Sequence, residues 1–160
     1  MQLRNYTRGY KPKQAKAFTK DQVIRALQLG PGEDYPHEWI MKKAIISINF
    51  NGGIRGCELR SLNFGSLEPT DEGIWTHFEH GKQQTVQENR FLIPVNKERP
   101  DLCFATPVIE YLNLLRDCHP DIKSDDPLFY RALKAGTFSK KKLGQHKLAN
   151  LGTCLCKTGN

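Results

Sequence analysis

Chemistry in this chain concentrates in Gly52-Gly53-Ile54-Arg55-Gly56-Cys57-Glu58-Leu59-Arg60-Ser61-Leu62, where a glycine turn delivers an arginine to the start of a helix. Backbone N–H groups and the helix dipole favour an anion there, and a guanidinium beside them offers a planar fork that matches phosphate oxygens two at a time. Glu58, one turn on, is placed to orient Arg55. The same spacing also describes an ordinary i, i+3 ion pair, worth roughly 0.2–0.5 kcal/mol and needing no ligand. Two other constellations are poorer. Cys154-x-Cys156 with His146 supplies too few ligands, and two cysteines two apart on a helix point to different faces, so no metal site is expected. His77 and Glu79 share one face of a strand with His80 opposed, which describes a solvated strand edge.

The elements that must position Arg55 follow from pattern. Thr19 with Gln22 makes a capping box that opens a helix running to about Leu29, before Gly30-Pro31-Gly32. A second helix starts near Pro36 and carries Trp39, Ile40, Ala44, Ile46, Ile48 and Phe50 to a stop at Asn51-Gly52-Gly53, apolar enough to be buried centrally. Arg55 to Leu62 reads as a short third helix with Leu59 and Leu62 inward. Ile74 to Phe78 and Arg90 to Val95 are β-rich runs expected to pair as a hairpin, with Leu67-Glu68-Pro69 as a third short strand. Thr106-Pro107 opens a helix with Val108, Ile109, Leu112, Leu115 and Cys118 on one face, ending before Pro120. A last helix is expected from about Lys141 to Lys157, with a stripe of Leu148, Leu151 and Leu155.

With 160 residues, 38% hydrophobic and 26% charged, the chain can bury one core and is too apolar for a disordered tail. It has no apolar run of the roughly 20 residues that a membrane span needs, and residues 1–20 lack the apolar core of a secretory signal. Five scattered cysteines suit reduced thiols, so a nuclear or cytoplasmic protein is expected and a secreted one is not. The net charge of +7 is unevenly placed. All 17 acidic residues lie between Asp21 and Asp126; residues 1–20 hold six Lys/Arg and residues 127–160 seven. Such basic ends attract polyanions, nucleic acid above all, although a solvated surface with a basic arm has the same composition.

In their order these segments resemble the catalytic domain of tyrosine recombinases, the phage-integrase superfamily, in the style of eukaryotic mobile-element (crypton-like) enzymes. FTKDQVIRAL is similar to that domain's opening helix, and FNGGIRGCELRSLNFGSL matches its first-arginine box, G-x-R-x-x-E-L followed by a leucine. IWTHFEHGKQQTVQENRFLIPV is similar to its lysine-bearing hairpin, and the segment from Pro127 to Asn160 resembles the lead-in to its second-arginine box. The resemblance implies an α+β fold, mainly helical with a small two- or three-stranded antiparallel sheet, with residues 1–17 as a basic arm and 18–160 as a partial catalytic domain. It implies strand exchange on DNA with no cofactor and no metal. Arg55 would hold a non-bridging phosphate oxygen, Glu58 would orient Arg55, and Lys82 would protonate the leaving 5′ oxygen. Arg90 could take the phosphate contact in place of Lys82, and Lys140, Lys141 and Lys142 would add backbone contacts. Self-association on DNA is expected from the same resemblance.

The chain also departs from the family pattern, in a long interval from Lys82 to Ile93-Pro94 and in its missing catalytic parts. An H-x-x-R box and a downstream nucleophilic tyrosine would follow Asn160, and neither His146 nor Tyr6, Tyr10, Tyr35, Tyr111 or Tyr130 replaces them. The expectation is a DNA-binding core that cannot complete cleavage. The alternative is a domesticated protein-interaction module that keeps the fold without DNA chemistry.

Overall fold

A computed structural model describes residues 18–78, 89–144 and 147–148. Helix α1 (Lys20–Gln28) opens on the anticipated capping box: the Thr19 hydroxyl accepts the Gln22 N–H at 3.3 Å and Gln22 Oε1 accepts the Thr19 N–H at 3.0 Å. Helix α2 (Pro36–Gly52) begins with proline, whose missing N–H costs nothing in the first turn, and ends at Gly53, which takes the left-handed φ of 56°. Trp39 of α2 donates its indole N–H to the Leu29 carbonyl at 2.9 Å, fixing the loop between the two helices. Met41, Ala44, Ile45 and Ile48 make α2 the centre of the core. Helix α3 (Gly56–Arg60) is one turn long and buries Leu59, with Leu62 buried just beyond it.

A 3-10 turn (Phe64–Ser66) leads into an antiparallel sheet of β1 (Leu67–Pro69), β2 (Gly73–His77) and β3 (Arg90–Pro94), in that spatial order. Its register sets Leu67 and Phe91 beside Thr76, and Ile93 beside Ile74. These residues share one face by strand alternation, and Leu67, Ile74, Thr76 and Ile93 are buried there. The close of α2 packs on this sheet, because any side chain at Gly52 would run into the Phe91 ring. Glu68, Trp75, His77, Arg90 and Leu92 occupy the opposite face.

Helix α4 (Ala105–Cys118) packs along α2. Its buried stripe differs from the expected one at Ile109, at Tyr111 and at Cys118, which is only half-buried. Ile109 is 37% exposed and Tyr111 only 1%, because the stripe runs through Val108, Tyr111, Leu112 and Leu115. A tyrosine can be buried there because its hydroxyl donates to the Leu128 carbonyl at 2.6 Å.

The C-terminal part corrects the sequence expectation. Where a helix was expected from Lys141, the chain forms a second antiparallel pair, β4 (Tyr130–Ala132) with β5 (Phe138–Lys142). Gly136, with φ 78°, allows the turn between them, and Leu133 N–H bonds to the Thr137 carbonyl at 2.8 Å. Burial of Phe138 against Tyr111 and His37 then outweighs the helix propensity of the lysines. Leu143 and Gly144 are not helical, Lys147 and Leu148 are, with Leu148 buried, and residues 145, 146 and 149–157 of the expected helix lie outside the described residues. The fold is thus α+β, with four α-helices and antiparallel sheets of three and two strands among the described residues. None of these helices is long and apolar enough to cross a membrane.

Candidate nucleic-acid interface

Gly53 turns the chain out of α2, and Ile54 is buried to pin the link. Arg55 follows as the N-cap of α3 with extended backbone, φ −73° and ψ 158°, and its side chain is exposed. Glu58, 7% exposed, turns back and accepts the Arg55 main-chain N–H at 2.7 Å. Arg55 and Glu58 are therefore brought together as the sequence anticipates, but the contact runs through the backbone. It also revises the expectation of backbone N–H groups cradling a phosphate. A protein carboxylate already occupies the first of these donors and complements the positive end of the short helix. Arg55, Gly56 and Cys57 are exposed at this turn.

Arg90 opens β3 opposite His77, and its guanidinium lies 4.7 Å from the centroid of the Trp75 ring, a cation–π stack on the outer sheet face. His77 sits 3.9 Å from the Glu68 carboxylate, both exposed; the face is solvated as expected, but β2 is the central strand of its sheet and not an edge. Lys82, Glu79 and His80 lie outside the described residues, as do Cys154, Cys156 and His146. No group of three or more His, Cys, Asp or Glu side chains that could hold a metal ion occurs among the described residues. Near the end of β2 an open cleft of about 420 Å³ is lined by Asn63, Ser66, His77 and Asp125 among others, but by no lysine or arginine, so it does not extend the cationic surface.

Lys140, Lys141 and Lys142 are exposed on β5. Arg131 on β4 and Lys134 in the turn join them, two residues to which the sequence alone assigned no role. The available signal was Gly136 between the aromatic runs Phe129-Tyr130 and Phe138, the mark of a hairpin.

Tyr111 and Tyr130 are buried, whereas Tyr35 is exposed and stacks on the His37 ring at 5.5 Å. Burial pushes the Tyr111 phenol well above its ordinary pKa, and burial with the Asp126 charge raises that of Tyr130. Compared with protein-family models and with curated proteins, the chain matches none.

Proposed function

We propose that this chain is the DNA-binding core of a tyrosine-recombinase or integrase-like protein, contacting duplex phosphates without completing strand cleavage. The observation that carries the reading is Arg55: an exposed guanidinium on a backbone fixed by Gly53 on one side and buried Glu58 on the other. The fixed backbone sets where the side chain starts, and its planar guanidinium matches phosphate oxygens two at a time. The resemblance of the arginine box supplies the assignment, with Arg55 on a non-bridging oxygen and Glu58 as its positioning residue. Arg90 and Lys140, Lys141 and Lys142 widen the cationic surface, and Lys82 adds a phosphate contact in place of the proton transfer that cleavage would need.

Tyr111 and Tyr130 are poorly placed to attack a phosphate. A nucleophilic phenol must be accessible and easily deprotonated, and Tyr111 and Tyr130 are buried with pKa values shifted upward. The test is duplex DNA binding followed across a salt series for the parent chain and Arg55→Ala. The parent should show a steep log–log dependence, about −0.9 per phosphate neutralised, and the variant a weaker and shallower one. Binding that is flat in salt and indifferent to Arg55 would favour the protein-interaction module instead.

A further inference from the structure

The β4–β5 ribbon carries charge that its packing does not require. Arg131, Lys134, Lys140, Lys141 and Lys142 are all exposed, and residues 127–144 contain no carboxylate. Among the described residues none of these five side chains makes an ion pair. Like charges on facing strands repel and weaken a two-stranded ribbon, so the cluster costs stability that a polyanion would restore.

The backbone concentrates these cations. Tyr130 pairs with Lys142 and Ala132 with Phe138, so Arg131 alone faces the three residues from Ser139 to Lys141. Such a bulge bends the strand and re-aims its side chains. Ser139 holds it in shape: its hydroxyl accepts the Lys141 N–H at 3.2 Å and donates to the Lys141 carbonyl at 3.4 Å. Beneath the bulge the ribbon is anchored. Phe138 meets the Tyr111 and His37 rings edge-on at 5.7 and 5.2 Å, and Leu143 N–H bonds to the Phe129 carbonyl at 3.0 Å.

Resting on the DNA reading above, we infer that this ribbon seats in the major groove of a B-form DNA duplex, with Arg131, Lys140, Lys141 and Lys142 on the flanking phosphates. Shape selects the partner. The B-form major groove, about 12 Å wide, admits a two-stranded β-ribbon, whereas the A-form groove of an RNA duplex is too deep and narrow for side chains to read. A lipid surface is the poorer fit, since Leu133 is the one large apolar side chain the turn exposes.

The experiment titrates the full 160-residue chain against a labelled DNA duplex, an RNA duplex of the same sequence and anionic phosphatidylserine vesicles over a salt series. Lys140→Gln, Lys141→Gln and Lys142→Gln are combined in one variant, with three Lys→Arg changes as its rescue and Arg55→Ala alongside. The parent should prefer the DNA duplex. The Gln variant should flatten the salt slope by about 0.9 for each phosphate it no longer neutralises, up to about 2.7, and the Arg variant should restore it. If the Gln variant melts early, Lys141→Gln alone should flatten the slope by about 0.9. An unchanged slope in the Gln variant while Arg55→Ala weakens binding overturns the ribbon and leaves the DNA reading standing. Equal binding to RNA or vesicles overturns the groove, and no salt-dependent DNA binding by the parent overturns both.

Discussion

The buried Glu58 carboxylate accepts the main-chain N–H of Arg55 at 2.7 Å, so the turn out of the central helix is closed by the residue three positions after the arginine it presents. Removing that acceptor leaves a helix-start donor without its partner. Glu58→Ala should lower stability by about 1–2 kcal/mol, read as a shift in the urea midpoint, and Glu58→Gln, which keeps an acceptor oxygen, should lose less. Equal midpoints for Glu58→Ala and the parent would mean that Glu58 does not brace the turn.

The two glycines before Arg55 serve different ends. A methyl group at Gly52 meets the Phe91 ring, so Gly52→Ala should cost about 1–3 kcal/mol, and Phe91→Leu in the same chain should recover part of it. At Gly53 there is open space but a φ of 56°, so Gly53→Ala should cost about 1–2 kcal/mol that no change at Phe91 relieves. Thermal melting of the two single variants and the Gly52/Phe91 double variant separates overlap from backbone strain.

Tyr111 ties α4 to the segment before the ribbon through its 2.6 Å bond to the Leu128 carbonyl. Tyr111→Phe should destabilise by about 1–3 kcal/mol, because the buried carbonyl loses its donor. The phenol pKa is raised on folding, above its ordinary 10.0, so the folded state holds this proton more tightly than the unfolded chain. Its contribution is therefore complete below pH 10 and is lost as pH rises through the folded value. In Tyr111→Phe the fall of stability above pH 10 should be shallower than in the parent, as followed by denaturation at stepped alkaline pH.

Cys103, just before α4, shows competing effects. Burial pushes its thiol up, but hydrogen bonds from the Thr106 hydroxyl and from the N–H groups of Asn96, Thr106 and Ala105 outweigh it and set the thiol below its ordinary value. Thr106→Val should raise the pH at which Cys103 becomes half-alkylated, measured by peptide mass mapping. Exposed Cys57 should react before buried Cys103 at every pH.

Much of the fold was legible because local signals and burial agree. Thr19 with Gln22, Pro36, and Gly52-Gly53 mark helix ends by backbone chemistry alone, and the β-rich runs around Trp75 and Leu92 paired as their alternation implies. The ribbon was not legible, since Ser139 to Lys142 has no strand-like apolar alternation; its strand state depends on Phe138 reaching Tyr111 and His37, neighbours distant in sequence. The burial of Tyr111 on α4 was hidden for a related reason, because it rests on an acceptor 17 residues away. At the candidate site, the pairing of Arg55 with Glu58 could be read from spacing. That Glu58 would take the backbone N–H required the geometry.

Duplex DNA affinity of the parent chain and of Arg55→Ala, each measured across a salt series, tests the central claim most directly. Because Arg55 is exposed and its cap is made through the backbone, the variant should melt within about 0.5 kcal/mol of the parent. Its DNA binding should nonetheless weaken, with a log–log salt slope shallower by about 0.9. A parent chain whose affinity ignores salt, or an Arg55→Ala variant that binds with the same affinity and slope, would contradict the account.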